Sequence, residues 1–267
     1  MIDFTRLEEV RRRRPLIHCV SNIVSANDCA NLALAVGASP MMAQAPEEME
    51  DITSAADATV LNTGTPDEIK FEVCALCGKA AAAAAHPVVL DPVGVGASPW
   101  RLRRVRELLH LITPAILRVN LGEARALTGE TGREQGVDSP EHAGREVRLA
   151  AARALAIRRG SAVLLSGPED IVTDGTAAWC LPGGSDLMAA VTGTGCMLSV
   201  LCGVFAAVEP DPVQSAVLAS AFWKICSRQA EEAAAGRGPG TFRAALMDAA
   251  ATLTAADFAA LAQVEAL

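Results

Sequence analysis

Short apolar runs alternate with longer helical segments along most of this chain, and this alternation most restricts its possible folds. Apolar runs bounded by Gly, Pro or polar residues predict strands, here at residues 16–20, 58–61, 87–90, 115–119, 162–166, 170–173 and 177–181. Continuous apolar strands between helices are typical of a mostly parallel sheet covered by helices on both faces. The sequence therefore predicts a three-layer α/β fold, with two or more antiparallel strands after residue 165.

Glycine and proline are spread along the chain rather than gathered into a linker, so we expect residues 1–267 to form a single domain. A polar loop is predicted at 129–139, and only helices are predicted after residue 196. Three helix starts are marked by a capping residue followed by proline, at Thr65-Pro66, Ser98-Pro99 and Asp211-Pro212.

Composition excludes several classes of partner. The net charge of -8 argues against nucleic acid or an anionic membrane surface. Aromatic residues make up only 3% of the chain and Tyr is absent, so bases would find few side chains on which to stack. The sequence shows no signal peptide and no long apolar span. We therefore expect a cytoplasmic protein whose eight scattered cysteines are reduced thiols.

The residues that directly follow the predicted strands are almost all polar, glycine or acidic. In open parallel sheets, ligands bind beyond the carboxyl ends of the strands. The sequence therefore predicts a site at this edge of the sheet, built from Ser21-Asn22, Met41-Met42, Asn62-Thr63-Gly64, the segments 91–96 and 120–123, and Ser166-Gly167.

The stretch Thr192-Gly193-Thr194-Gly195-Cys196 precedes an apolar run that predicts a helix. Glycines let a backbone approach a ligand closely. A helix N-terminus directs free N–H groups and the positive end of its dipole toward that ligand. The stretch therefore predicts a cradle for a phosphate or an oxyanion, with the Cys196 thiol inside it. The alternative is a Gly-rich turn before a buried helix, in which Cys196 is an inert small residue.

Two acids follow predicted strands. Asp91 enters a Gly-rich loop, and Glu123 lies three residues after Asn120 at a predicted helix start. Carboxylate oxygens suit Mg²⁺, directly or through water, whereas the alternative for both residues is simple capping. The chain has neither a Walker A motif nor a GxGxxG motif after its first strand. An anion cradle with two acids favours phosphoryl transfer, in which positioning and charge neutralisation supply most of the catalysis.

Segments spread over residues 14–245 resemble the hydroxyethylthiazole kinase family of thiamine salvage, within the ribokinase-like superfamily. They read SN at 21–22, GASPMMA at 37–43, LNTGT at 61–65, LDPVGVG at 90–96 and VTGTGC at 191–196. Cys196 is the most specific match, because most ribokinase-like kinases carry Asp at that place. The resemblance implies a ribokinase-like fold and Mg²⁺-dependent transfer of the ATP γ-phosphate to the hydroxyl of 4-methyl-5-(2-hydroxyethyl)thiazole.

The resemblance also implies roles for individual residues. The thiazole is expected to contact Met42 and Gly193, within walls formed by Asn22, Asn62, Gly64 and Thr65. ATP is expected to contact Arg118, Ser166 and Asn120, while Asp91 and Glu123 serve the Mg²⁺–phosphate region. The anion hole is expected from the backbone amides of Gly193, Thr194, Gly195 and Cys196, with Cys196 in the place of the general base. The family is trimeric with sites between subunits, so we expect a homotrimer.

Two other interpretations stay open at this point. The first is another ribokinase-like activity, such as a vitamin or pyrimidine kinase or a hydrate dehydratase, against which Cys196 counts. The second is a non-catalytic thiazole-binding protein. It is favoured by Val119, which stands where the family pattern has glycine, and by Cys196 itself.

Overall fold

A computed structural model describes residues 2–129 and 143–267 of the chain, and the centre of this part is a nine-stranded sheet in the order β2-β1-β3-β4-β5-β6-β7-β8-β9. Neighbouring strands from β2 to β6 pair in parallel, and β7, β8 and β9 add antiparallel pairs. The strands are β1 Leu16–Val20, β2 Ser39–Met41, β3 Ala58–Asn62, β4 Val88–Asp91, β5 Ile116–Val119, β6 Ala162–Leu165, β7 Asp170–Thr173, β8 Ala178–Leu181 and β9 Glu265–Ala266. The predicted mostly parallel sheet, with antiparallel strands after residue 165, is thus confirmed.

The helices are α1 Arg6–Arg13, α2 Ala26–Val36, α3 Met49–Ala55, α4 Glu68–Ala84, α5 Pro99–Leu111, α6 Leu121–Thr128, α7 Arg145–Arg159, α8 Thr194–Ala206, α9 Pro212–Ala234, α10 Pro239–Thr252 and α11 Ala255–Leu261. The prediction of helices alone after residue 196 is wrong, because the chain ends in the short strand β9, whose residues pair with β8. The predicted polar loop lies, apart from Gly129, outside the described residues.

Two cores flank the sheet, one on each face. Successive strand residues alternate between them, since side chains of a strand point to opposite faces. Val60 and Val89 pack with α2, α8, α9 and α10, whereas Leu61 and Leu90 pack with α4 to α7. The protein therefore has the predicted three layers, with helices on both faces of the sheet.

Two of the three predicted helix starts are confirmed. Ser98 caps α5 and Asp211 caps α9, each directly before a proline. The start predicted at Thr65 is wrong, because α4 is capped by Asp67, which accepts the Lys70 N–H at 2.7 Å. Thr65 instead has a positive φ of 45° and belongs to the loop that follows β3.

Among the helices in residues 2–129 and 143–267, none is by itself both long and apolar enough to cross a membrane, although the bent pair α10 and α11 passes that test jointly.

Candidate functional site

Polar side chains converge at the carboxyl edge of the parallel strands, as the sequence predicts. The register aligns the end of β3 with the end of β4, so that Asn62 lies opposite Asp91. Asn22 follows β1 and Ser166 follows β6, at the same edge of the sheet. The N-terminus of α8 packs over these strand ends, since α8 contacts β1, β3 and β4.

The glycines before and inside the first turn of α8 permit two close approaches. Gly193 has φ 85°, and a Cβ on it would lie 2.8 Å from Cβ of Ser25. A Cβ on Gly195 would lie 2.5 Å from Nη2 of Arg118. The guanidinium of Arg118 therefore lies directly against the helix N-terminus. A cation and free backbone N–H groups together form a strong site for an anion.

Asp91 is the centre of the hydrogen-bond network at this edge. Its side chain is fully buried, and Oδ2 accepts hydrogen bonds from Nδ2 of Asn62 at 3.1 Å and from Oγ of Ser199 at 2.7 Å. Oδ1 lies 3.6 Å from Nη1 of Arg118, and it accepts no hydrogen bond from the described residues. Burial raises the pKa of Asp91 to about 6, and Glu123 adds to this rise, while Arg118 opposes it.

On one side of Asp91 the network reaches the Cys196 thiol through two amides. Nδ2 of Asn22 donates to Oδ1 of Asn62 at 3.0 Å and to Sγ of Cys196 at 3.3 Å. The N–H of Gly64 also donates to Oδ1 of Asn62, at 2.9 Å. Cys196 itself is half-buried. Four of the residues that the resemblance assigned to the thiazole pocket and to the general base thus meet within hydrogen-bonding distance.

On the other side of Asp91 lies a cavity of about 560 Å³, whose lining includes Arg118, Ser166, Gly183, Gly184, Thr194 and Gly195. Nη2 of Arg118 donates to Oγ of Ser166 at 2.6 Å. This arrangement holds the guanidinium between Asp91 and the cavity. The cavity therefore has a cationic end beside the N-terminus of α8, as a site for a polyphosphate requires.

Helix α9 supplies cavity residues that sequence reasoning missed. Nζ of Lys224 donates to the carbonyls of Gly167 and Pro168 at 3.0 and 3.1 Å and lies 3.2 Å from Oδ1 of Asp170. Nε1 of Trp223 donates to the carbonyl of Thr194 at 3.2 Å. These bonds connect α9 to the loop after β6 and to the first residue of α8, both of which line the cavity. Lysine occurs at only three positions of the chain, and a lysine inside an apolar helix is a signal from which such a role could have been predicted.

Glu123 and Asn120 form the start of α6, and this is the capping alternative that the sequence left open. Oδ1 of Asn120 accepts the Glu123 N–H at 2.8 Å, and Oε2 of Glu123 accepts the Asn120 N–H at 2.9 Å. Oε1 of Glu123 also accepts the Gly94 N–H at 2.8 Å, which ties α6 to the loop after β4. Across residues 2–129 and 143–267, no group of three His, Cys, Asp or Glu side chains is arranged to hold a metal ion.

Two predicted substrate residues lie at the border of this network. Met42 follows the edge strand β2, is half-buried and packs against the core that contains α8. Thr65 is exposed, and its Oγ1 accepts the Ile23 N–H at 3.4 Å. Their contacts with a substrate stay predictions.

Comparison with known proteins gives a consistent family. The model of the hydroxyethylthiazole kinase family matches residues 7–256. A hydroxyethylthiazole kinase from Listeria monocytogenes serotype 4a (strain HCC23) is 43% identical over 252 residues, 94% of this chain and 93% of that protein. The one from Nitratidesulfovibrio vulgaris (strain DP4) is 46% identical over 239 residues, 90% of this chain and 88% of that protein.

Solved structures support the same fold. The hydroxyethylthiazole kinase protein from Pyrococcus horikoshii OT3 has a TM-score of 0.88 and 35% identity, covering 99% of this chain and 98% of its own. A ribokinase-like superfamily protein from Enterococcus faecalis V583 has a TM-score of 0.62 and 14% identity, covering 94% and 95%. The latter likeness concerns the fold alone, and the predicted ribokinase-like fold is confirmed.

Proposed function

The chain belongs to the hydroxyethylthiazole kinase family, and from that premise we propose how it phosphorylates 4-methyl-5-(2-hydroxyethyl)thiazole with ATP, in thiamine salvage. One observation carries this assignment of residues. A continuous network runs from the Cys196 thiol through Asn22, Asn62 and Asp91 to Arg118, around the N-terminus of α8. It joins a half-buried thiol to a cationic cavity, which is the arrangement that phosphoryl transfer to an alcohol needs.

The nucleotide is proposed to occupy the cavity beside Arg118. Its transferred phosphoryl group is expected at the first turn of α8, where the guanidinium lies against Gly195. Charge builds up on the phosphoryl oxygens during transfer, so a fixed cation and backbone N–H groups lower the barrier. Ser166 holds the guanidinium in this place. Asn120 is proposed to contact ATP from the start of α6.

The thiazole alcohol is proposed to lie at the Cys196 end of the network, next to Gly193, with its ring near Met42. Asn22, Asn62, Gly64 and Thr65 are proposed to form the walls of its pocket. Cys196 accepts the proton of the substrate hydroxyl as the oxygen bonds to phosphorus. The backbone amides of Gly193, Thr194, Gly195 and Cys196 form the anion hole.

The residues at this site could hold Mg²⁺ by the carboxylate of Asp91, although the described residues contain no preformed cluster of three ligands. Oδ1 of Asp91 is a buried carboxylate oxygen that accepts no hydrogen bond from the described residues, and it lies 3.6 Å from Nη1 of Arg118. Mg²⁺ is commonly held by one or two carboxylates, by water and by substrate phosphates. We propose Asp91 as its carboxylate and Glu123 as a partner through water. The ion supplies charge neutralisation at the phosphates.

We also propose a homotrimer with sites between subunits. Support comes from large apolar side chains that are exposed around the proposed thiazole pocket. Ile23 is 81% exposed and Val24 58% exposed, directly after Asn22, while Ile69 is 57% exposed and Met41 41%. Exposed apolar surface of this kind marks interaction sites. A light-scattering mass of three chains is expected, and a monomeric mass would contradict the trimer.

Two further proposals concern the chain as a whole. Residues 1–267 form one domain. The protein is cytoplasmic, where its eight free cysteines remain reduced.

An ADP-release assay with hydroxyethylthiazole, with hydroxymethylpyrimidine and without an acceptor tests the proposed reaction. We expect ADP release that depends on the thiazole alcohol and on Mg²⁺. Release with the pyrimidine alone would favour another ribokinase-like kinase. Thiazole binding without ADP release would favour the non-catalytic protein.

A further inference from the structure

The orientation of the Asn22 amide is determined by the backbone around it. Asn22 is buried, and its Oδ1 accepts the N–H groups of Val24 at 3.0 Å and Ser25 at 3.1 Å. A flipped amide would place its NH₂ group against these two donors. Nδ2 must therefore face the site.

Both hydrogens of this Nδ2 are used inside the network. One goes to Oδ1 of Asn62 and the other to Sγ of Cys196. Asn62 has no freedom to reverse this direction, since its Oδ1 also accepts the Gly64 N–H and its own Nδ2 donates to Asp91. Sγ of Cys196 is thus an acceptor toward Asn22, and any S–H must point away from the amide.

The loop after β3 is shaped to hold this pair of amides. A Cβ on Gly64 would lie 3.0 Å from Cβ and Nδ2 of Asn22 and 3.0 Å from Oδ1 of Asn62. A larger residue would press on both amides. The backbone therefore closes one side of the network, and the donor from Asn22 to the sulfur keeps its direction.

We propose that Asn22 is a positioning residue that keeps Cys196 ready to accept the proton of the substrate hydroxyl. A donated N–H stabilises negative charge on sulfur. In the reaction, the substrate oxygen bonds to phosphorus, the bond from phosphorus to ADP breaks, and the hydroxyl proton passes to Sγ of Cys196, which receives it as a thiolate and becomes a neutral thiol. This role rests on the proposed function and goes beyond it, because there Asn22 only lines the thiazole pocket.

The first test measures the reactivity of the thiol without any turnover. Seven of the eight cysteines are buried, whereas Cys196 is half-buried, so iodoacetamide added to the native protein reports on Cys196, as peptide mass analysis checks. The decisive variant is Asn22→Asp, which keeps the shape and the acceptor for Val24 and Ser25 but loses the donor to sulfur. Asn22→Leu removes the donor without adding charge, and Asn31→Ala changes an exposed asparagine of α2 as the control.

We expect alkylation about tenfold slower in both Asn22 variants, the effect of one hydrogen bond to a charged group, and unchanged in Asn31→Ala. Rates within twofold of wild type in both variants, with native melting temperatures, would overturn the proposal. If wild type fails to phosphorylate the thiazole but the variants still slow alkylation, the proposed function fails and the role of Asn22 toward the thiol stands.

A double-mutant cycle provides the second test. If Asn22 acts through Cys196, Asn22→Asp lowers kcat in wild type but causes no further loss in the Cys196→Ala background. If Asn22 only binds the thiazole, the same variant raises KM for thiazole equally in both backgrounds, and that result contradicts the proposal.

Discussion

The two ends of the site use different chemistry. The acceptor end consists of the amides of Asn22 and Asn62 and the sulfur of Cys196. The nucleotide end consists of charged groups, with Arg118 beside Asp91 and Lys224 beside Asp170. Asp91 lies at the boundary and contacts both. On the proposed function, the charged side chains lie beside the phosphates of the nucleotide, and the amides and the sulfur lie beside the alcohol.

The loops at the two ends are nevertheless anchored in the same way. Nζ of Lys70 on α4 donates to the carbonyl of Ser21 at 2.5 Å and to Oε1 of Gln44 at 2.8 Å. Lys224 on α9 does the same for the carbonyls of Gly167 and Pro168. Helices α4 and α9 cover opposite faces of the sheet. The lysine of each helix holds a loop at one end of the site. The contrast between the ends therefore lies in the groups that face the ligand.

Among variants that should impair the nucleotide end of the site and leave the acceptor end intact, Gly195→Ala is expected to have the largest effect. The new methyl group would displace the guanidinium of Arg118 from the N-terminus of α8. We expect kcat/KM for ATP to fall about a hundredfold or more, as when one donor to a developing charge is lost. The matched control is Gly240→Ala, also at the second position of a helix, where a Cβ would meet nothing within 4 Å. Equal losses in both variants would contradict the role of the cradle.

Asp91→Asn tests the residue that contacts both ends of the site. We expect this variant to lose most of the kinase activity. It also changes how stability depends on pH. The raised pKa means that the folded state binds this proton more tightly than the unfolded state, so the carboxylate costs stability as the pH rises from about 4 through about 6.

The free energy of unfolding of Asp91→Asn, relative to wild type, should therefore rise by about 2 kcal/mol between about pH 4 and pH 7. Urea unfolding at both pH values measures it. Asp248→Asn, a change at an exposed position of α10, should show no such dependence. A constant difference for Asp91→Asn would show that burial does not raise this pKa.

Cys196 variants test whether the acceptor end needs a proton acceptor. We expect Cys196→Ala to lower kcat about tenfold to a hundredfold, within the range of general base catalysis. Cys196→Asp should retain or exceed the wild-type rate, because a carboxylate accepts a proton in the same place. Steady-state rates decide this, and an unchanged rate in Cys196→Ala would remove the thiol from the mechanism.

The two anchoring lysines give the smallest expected effects and the cleanest separation of the ends. Lys224→Met should raise KM for ATP about fivefold, and Lys70→Met should raise KM for the thiazole about fivefold, the effect of lost hydrogen bonds to a loop. The exposed Lys79 supplies the control, and Lys79→Met should change neither constant. The comparison of the ends fails if each of the first two variants changes both constants equally.

Local patterns placed seven of the nine strands in the described residues and the loops that follow them, but they missed the short edge strand β2 and the short final strand β9. The apolar runs that precede Asn22, Asn62 and Asp91 predicted the edge at which these residues meet. Where one local pattern fits two different structures, the sequence left both interpretations open or favoured the wrong one. An acid three residues after Asn120 fits a metal ligand or a cap equally well, and Thr65-Pro66 and Asp67 both fit a helix start.

The sequence by itself determined a mostly parallel α/β fold, the strand ends that carry polar groups and a family with Cys196 in its Gly-rich cradle. These features follow from hydrophobic periodicity and short motifs, which are local. The tertiary structure alone decided which side chains touch. Asn22 meets Cys196 across 174 residues, and Arg118 meets Gly195 only because α8 packs over the ends of the parallel strands. Such contacts depend on how helices pack on the sheet, and spacing along the chain does not encode that packing.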